Sequence, residues 1–332
     1  MLKYFSSGHL SRFITIFFLI VLFWLPAFIA HHIYVPDFGN PLFLFLFQLT
    51  AFNIYLQISI ALLITIGSAL VVNQIAADFE FSSRFSSLAI FFFILCSSAF
   101  ISFFSFNPIL LANLFLFFFL KNIFSFPSSS TPITSTFNAG LLLGIASLFF
   151  APLLIFLVFL WLAIIVHRMN DWRNFATSMI GILIPYLFLF TWYLWTESVF
   201  ENANNLATAY FLIPEIKFPS YSLNLLITTI FMIVITVSGF SVLTHLREKN
   251  IKLRRNLMIT LLYLVFTILL SILYQNINQT MLLIAIPASL ILTNSVNPGK
   301  KMKIFNIVIY LLLALIVLNL YFNLGLYFIN IF

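Results

Sequence analysis

Long apolar runs follow one another along this chain, and the short segments between them carry most of its charge. Only 7% of the residues are charged and 63% are hydrophobic, whereas soluble domains carry about 25% charged residues. Lipid can solvate such a surface and water cannot. The sequence therefore predicts an all-α, polytopic transmembrane helix bundle.

The apolar runs predict about eleven crossings of roughly 20 residues each. The predicted spans are residues 13–30, 52–72, 87–104, 109–123, 137–149, 152–166, 175–195, 223–246, 257–274, 281–292 and 304–324. Residues 41–50 are apolar but too short to span, so we expect them to lie in the interface or lean on the bundle. The chain, residues 1–332, then forms a single transmembrane domain, in which residues 196–222 form an outer loop between spans 1–195 and spans 223–332.

The basic residues predict the orientation of this bundle. With the N-terminus in the cytoplasm, all of the 15 Lys and Arg residues except Lys217 fall on the cytoplasmic side. The same rule predicts that residues 137–166 form a hairpin turning near Pro152, because a single helix would place Lys121 and Arg168 on opposite faces. The C-terminus is then outside. We expect a multi-pass protein of the bacterial inner (cytoplasmic) membrane.

The net charge of +7 does not indicate nucleic acid as a partner, because the basic residues sit between apolar runs. They are better explained as topology signals and as contacts with membrane lipids. Cys96 is the single cysteine, which excludes an intrachain disulfide or a cysteine zinc site. The sequence contains no P-loop, zinc motif or nucleophile elbow, so it predicts no cofactor.

The first outer loop contains Asp37, which has two interpretations. It is a general base or metal-linked carboxylate at the membrane surface, or a turn aspartate that bonds its own backbone between Pro36 and Gly39. His31 and His32 precede it in sequence. Adjacent histidines point in different directions and rarely bind a metal together, so interfacial polar residues are the simpler interpretation, with His32 kept as a candidate for substrate binding.

Lys217 is the one basic residue predicted outside. A lipid-linked phosphate bound from that side needs a cation, and a lysine ammonium can bind phosphate. The alternative is a solvated loop lysine paired with Glu215. A divalent metal between Asp37 and Glu215 is a further alternative, although no ligand spacing indicates it.

The middle of the chain carries a recognisable order of features. Gly140 and Gly144 fit small-xxx-small helix packing, and Asn107, Asn113 and Asn138 are expected to hydrogen-bond between helices. In chain order the features are the stretch 107–113, the glycine-containing stretch 137–152, His-Arg at 167–168, Arg-Asn at 173–174, and Trp-Tyr-Leu-Trp at 192–195.

This order resembles the middle of the C-type integral-membrane glycosyltransferases. The resemblance covers roughly residues 1–195 and implies a lipid-linked sugar donor bound at the outer face. It also implies an acidic base in the first outer loop, a position that Asp37 occupies. The chain is similar as well to an uncharacterised multi-pass inner-membrane family of the Bacteroidota, which shares the Asn-x-x-Leu-Leu-Ala-Asn pattern beginning at Asn107.

Three functions follow from these features. The first is a protein of glycosyltransferase-like architecture that binds or uses a polyprenyl-phosphate-linked substrate at the outer leaflet. The second is a non-catalytic integral subunit of an envelope secretion or export complex, with other membrane subunits as partners. The third is a lipid or small-molecule carrier, which the absence of ionisable residues deep in the predicted spans disfavours.

The predicted orientation can be tested with reporter fusions. A reporter that is active only in the cytoplasm should give a signal when fused within residues 247–255. It should give none when fused after Phe332, because the distribution of basic residues places the C-terminus outside. A strong cytoplasmic signal after Phe332, with an outside-active reporter silent there, would contradict the eleven-span arrangement.

Overall fold

The computed structural model describes residues 2–6, 11–30, 41–50, 53–99, 104–128, 131–196, 222–274, 277–296 and 302–329. All secondary structure in these ranges is helical. The α-helices are α1 (Leu2–Ser6), α2 (Ser11–Ala30), α3 (Pro41–Thr50), α4 (Ile54–Asp78), α5 (Leu88–Ser97), α6 (Pro108–Ser125), α7 (Pro132–Phe149), α8 (Phe156–Val166), α9 (Trp172–Trp195), α10 (Ser222–Thr244), α11 (Ile251–Tyr274), α12 (Ile277–Ser295) and α13 (Met302–Ile329). Short 3₁₀ turns lie at Phe126–Ser128, Ala151–Ile155 and Leu246–Glu248.

Eight of the described helices are long and apolar enough to cross a membrane, namely α2, α4, α6, α7, α9, α10, α11 and α13. Three shorter apolar stretches accompany them: α5, α8 with its preceding 3₁₀ turn, and α12 from Met281 onwards. Large apolar side chains are exposed on the outside of the bundle, with Phe188 73% and Trp195 86% exposed. The chain is thus a multi-pass, all-helical membrane protein, as the sequence predicted.

Each predicted span coincides with a helix, but the helix ends differ from the ends of the apolar runs. Helix α4 continues to Asp78, α7 begins at Pro132 and α11 begins at Ile251, which are all beyond the predicted limits. Polar residues occupy these extra turns. A helix satisfies its own backbone hydrogen bonds and therefore has no reason to stop where its side chains become polar.

Helices α5 and α12 form the centre of the bundle. Every residue of α5 is buried, and so are residues 281–293 of α12. The two helices pack against each other, and α4, α6, α10 and α11 surround them. A helix that is apolar on all sides must be covered on all sides, by protein or by lipid. Here protein covers both.

The predicted crossing at residues 87–104 is only partly helical. Helix α5 ends at Ser97, and at about 1.5 Å per residue its ten residues reach only about 15 Å. The chain still passes through the bundle, because Phe104 packs edge-on against Trp24 near the opposite end of α2, with ring centroids 5.0 Å apart. Protein around α5 makes this short helix tolerable at membrane depth.

The predicted hairpin at residues 137–166 is confirmed. The helical path breaks at Phe150, whose backbone is extended (φ −143°, ψ 96°), and Pro152 lies in the first turn of the 3₁₀ segment that follows. Helices α7 and α9 run parallel, because Thr136 contacts Thr177 and Ser147 contacts Tyr186 through hydroxyl pairs at 2.9 and 2.8 Å. The connecting helix α8 must therefore run in the reverse direction.

Glycines allow α7 and α9 to touch along their backbones. A Cβ atom on Gly140 would overlap the carbonyl oxygen of Ser178, and one on Gly144 would come within 2.8 Å of the carbonyl oxygen of Ile182. Gly181 of α9 has the reciprocal relation to α7. The small-xxx-small prediction is confirmed, and its partner is the parallel helix α9.

Replacing Gly140 with alanine should lower the stability of the bundle. The added methyl group meets backbone atoms that cannot rotate away, and overpacking of this kind costs about 1–3 kcal/mol. Thermal unfolding of the purified protein in detergent should show a lower midpoint for Gly140→Ala. Gly67→Ala in α4 is the matched control, because a Cβ there meets nothing within 4 Å, so its midpoint should stay or rise. Equal midpoints for both variants would contradict the close α7–α9 contact.

Candidate functional site

The residues predicted from the sequence to form a substrate site lie outside the described ranges. Asp37 and His32 fall within residues 31–40, and Glu215 and Lys217 fall within residues 197–221. Whether these side chains meet is therefore a prediction. The described helices do show where the two segments join the bundle.

One end of the bundle, which we call the basic end, collects chain turns that are far apart in sequence. The backbone N–H of Ser87 donates to the carbonyl oxygen of Phe5 at 2.9 Å. The side-chain amide of Asn294 donates to the carbonyl oxygen of Phe81 at 3.3 Å. The described charged residues all belong to this end, and they are Arg12, Asp78, Glu80, Arg84, Lys121, Arg168, Asp171, Arg173, Arg247, Glu248, Lys249, Lys252, Arg254 and Arg255.

The segment 31–40 joins the bundle at the opposite end, which we call the far end. Before the segment, Trp24 of α2 packs on Phe104 with ring centroids 5.0 Å apart. After it, Phe43 of α3 packs on Phe106 with ring centroids 5.4 Å apart. Both contacts are made with the short stretch that leads into α6. Helix α3 thus leans on the bundle, as predicted, and it holds the chain end that follows Asp37.

The segment 197–221 joins the bundle at the far end as well. It leaves α9, which runs parallel to α7 towards that end, and enters α10. Near the start of α10, Asn224 accepts a hydrogen bond from the side-chain amide of Asn319 at 2.7 Å. The hydroxyl of Tyr321 in turn donates to the carbonyl oxygen of Leu22 at 3.2 Å. Helices α10, α13 and α2 are therefore connected where the two segments attach.

At the basic end, a cleft of about 480 Å³ lies between α6, α7 and the turn after α4. Its lining residues are Phe79, Phe118, Lys121, Asn122, Ser125, Asn138, Leu141 and Leu142. The sequence analysis treated Lys121 only as a topology signal and did not predict this cleft. A signal was present, because Phe118, Lys121, Asn122 and Ser125 recur at helical spacing on one face of α6.

An ion pair stands at the cleft. The ammonium nitrogen of Lys121 lies 3.8 Å from a carboxylate oxygen of Asp78, and the two side chains are 37% and 48% exposed. The side-chain amide of Asn122 donates to the carbonyl oxygen of Ser135 at 2.9 Å, which joins α6 to α7. The polar half of the cleft is thus lined by Lys121, Asn122 and Asn138, and Asp78 stands beside it as the partner of Lys121.

The interior near the basic end holds polar groups with unmet hydrogen bonds. Both ring nitrogens of His167 and both amide atoms of Asn256 are buried without a hydrogen-bond partner in the described part of the chain. The hydroxyl of Tyr263 is also buried without a partner there, deeper in the bundle beside Phe156. Burial, and to a lesser extent the positive charge of Arg255, lower the pKa of His167 to about 4, against a smaller opposing effect of the backbone of Ile123. His167 is therefore neutral at physiological pH.

The described residues do not suggest a metal centre. None of their His, Cys, Asp and Glu side chains cluster in a group of three or more, and Cys96 is buried in the apolar centre. In the described structure, hydrogen-bonding side chains lie at both ends of the apolar bundle, and charged side chains lie at the basic end.

Comparisons with known proteins identify a family without assigning it an activity. No curated protein and no solved structure matches the chain. One family model does match, and it covers residues 33–328, which includes Asp37, the whole of segment 197–221 and the cleft at the basic end, but not His32. The match carries no information on source lineage or glycosyl transfer, and both stay predictions. The chain belongs to DUF6427, a family of unknown function.

Proposed function

We propose that this protein has the architecture of a C-type glycosyltransferase and binds a polyprenyl-phosphate-linked substrate at the far end of its bundle. In this proposal the far end faces the outer leaflet of the bacterial inner membrane. The observation that carries the proposal is the attachment of segments 31–40 and 197–221 to that same end. These segments are distant in sequence, so their attachment there is not a result of chain proximity.

The proposal includes eleven membrane crossings. The eight long apolar helices and the three shorter stretches alternate in direction between the basic end and the far end, with α3 as the one apolar helix that stays at the far end. The parallel pair α7 and α9, with α8 returning between them, supports this alternation. By the positive-inside rule the basic end is cytoplasmic.

The distribution of charged residues supports placing the substrate site at the far end. The far end shows no charged side chain among the described residues, and the sequence places Asp37, Glu197, Glu201, Glu215 and Lys217 in the two segments attached there. A phosphate-linked substrate needs a cation beside its phosphate and a base beside its acceptor. The two segments supply both kinds of group, and the helices supply an apolar surface for a prenyl chain.

The architecture gives a second line of support. The resemblance to C-type glycosyltransferases rests on a glycine-containing helix, a hairpin, a basic turn and a proline-containing span. The chain has these features in order, as α7, the break at Phe150, the turn with Arg168 and Arg173, and helix α9 with Pro185 inside it.

The proposed chemistry is transfer of a glycosyl group. The carboxylate of Asp37 takes the proton of an acceptor hydroxyl, and the acceptor oxygen bonds to the anomeric carbon of the sugar. The bond between that carbon and the phosphate oxygen breaks at the same time, so that polyprenyl phosphate leaves with the electron pair. The ammonium of Lys217 neutralises the leaving phosphate, and His32 and Glu215 hydrogen-bond sugar hydroxyls.

Two substitutions separate binding from transfer. Lys217→Gln removes the cation and should weaken binding of polyprenyl phosphate to the purified protein about tenfold, the equivalent of roughly 1.4 kcal/mol for one charged contact. Asp37→Asn keeps size and polarity, so it should leave that binding unchanged while lowering sugar release from native lipid-linked donors about 100-fold. Lipid titration followed by native mass spectrometry measures the binding.

Matched controls are available at the basic end. Lys249→Gln and Asp171→Asn make the same chemical changes on the proposed cytoplasmic side and should leave both measurements unaltered. Unchanged polyprenyl phosphate binding in Lys217→Gln would show that the proposal is wrong. Stable copurification with other envelope proteins would then favour the non-catalytic subunit of a secretion or export complex.

A further inference from the structure

We propose that the cleft at the basic end is a binding site for a zwitterionic phospholipid of the phosphoethanolamine type. The site is distinct from the one in the proposed function, which lies at the far end and takes a different amphiphile. Its argument rests on described residues of α4, α6, α7, α11 and the turn that follows α4.

The cleft has a polar half and an apolar half, in the order that a lipid requires. Asn122 and Ser125 lie towards the basic end of α6, and Phe118 lies about one turn further into the bundle. On α7, Leu141 and Leu142 continue the apolar half in the same direction. A headgroup at the polar half therefore directs its acyl chain along the apolar half.

The apolar half is open to lipid. Phe118 is exposed on the surface of the bundle, and Leu141 and Leu142 are half-buried. An acyl chain can enter the cleft sideways from the bilayer and cover these side chains. A water-soluble ligand would leave them in contact with water or with the tail of another molecule, so an amphiphile is the better occupant.

Lys121 in the cleft lining and Asp78 beside it match a headgroup with one charge of each sign. The Lys121 ammonium and the Asp78 carboxylate stand 3.8 Å apart, which is the complement of a phosphate beside a primary ammonium. A second pair of opposite charges, Lys252 and Glu80, lies close by. The Lys252 ammonium stands 5.7 Å from the ring centroid of Phe79, and Glu80 follows Phe79 in the chain. The formal charges of Lys121, Asp78, Lys252 and Glu80 add up to zero.

The pair of Lys121 and Asp78 is loose enough to admit a headgroup. Its 3.8 Å separation exceeds the length of a charge-assisted hydrogen bond, which is about 2.7–2.9 Å. Partly exposed pairs of this kind contribute about 0–1 kcal/mol. Exchanging the pair for lysine–phosphate and aspartate–ammonium contacts therefore costs little and gains two hydrogen-bonded ion pairs.

Other phospholipids satisfy the cleft less well. A phosphatidylglycerol headgroup places its negative charge near Asp78 without an ammonium to balance it. The quaternary ammonium of phosphatidylcholine has no N–H to donate to the carboxylate. Polyprenyl phosphate lacks the ammonium entirely. The cleft should therefore prefer phosphatidylethanolamine over all three.

The preference can be measured by adding each of these four lipids to the delipidated full-length protein and quantifying bound lipid by native mass spectrometry. Among the three phospholipids, phosphatidylethanolamine should bind best to the native protein. Asp78→Asn should lower its preference over phosphatidylglycerol about tenfold, because one charged contact is lost. Lys121→Gln should weaken phosphatidylethanolamine and phosphatidylglycerol together, because both carry the phosphate.

Two further variants complete the test. Leu141→Trp fills the apolar half without touching a charge and should lower binding of all lipids to the cleft. Arg84→Gln removes an exposed positive charge at the same end, outside the cleft lining, and should change nothing. The proposal is overturned if Asp78→Asn and Arg84→Gln behave alike, if Leu141→Trp binds like the native protein, or if phosphatidylglycerol binds more tightly than phosphatidylethanolamine.

Discussion

The hydrocarbon interior of a membrane accepts neither an unpaired peptide group nor an isolated charge, and the structure of this protein follows from that exclusion. Helices satisfy the first requirement because each residue bonds within its own segment. The second requirement is satisfied because the charged residues lie near the ends of the helices, where the chain turns. The described charged residues accordingly gather at one end, and the remaining charged residues of the sequence, apart from the terminal and 300–303 lysines, fall in the two segments attached at the other.

Much of this arrangement could be predicted from the sequence because it depends on that same exclusion. The apolar runs predicted the positions of the long helices, and the requirement that Lys121 and Arg168 share a side predicted the hairpin at Pro152. The burial of α5 could not be predicted in this way. A run of Phe, Leu and Ile has the same composition whether its neighbour is lipid or protein, so the sequence of α5 does not indicate which of the two covers it.

The candidate sites show the corresponding limit at the level of single residues. Asp37 and Lys217 were predicted as site residues because charged groups are scarce on the predicted outer side. That scarcity does not indicate how far apart the two side chains lie. A topology signal is a sufficient explanation of Lys121 in the sequence, so its position in the cleft beside Asp78 was not predicted. Asn113 does bond between helices, to the carbonyl oxygen of Leu282 at 3.0 Å, whereas Asn107 caps its own helix at the backbone N–H of Leu110.

The short central helix α5 also constrains how the protein is made. Alone in a bilayer it would be too short to bridge the hydrocarbon core, and α12, which covers it in the finished bundle, is synthesised much later. About 180 residues separate the two helices, which corresponds to roughly ten to forty seconds of translation at about 5–20 residues per second. During that interval α5 has to stay beside the insertion machinery or beside α2 and α4. We therefore expect biogenesis of this protein to include a waiting step, which ends once α12 has been synthesised.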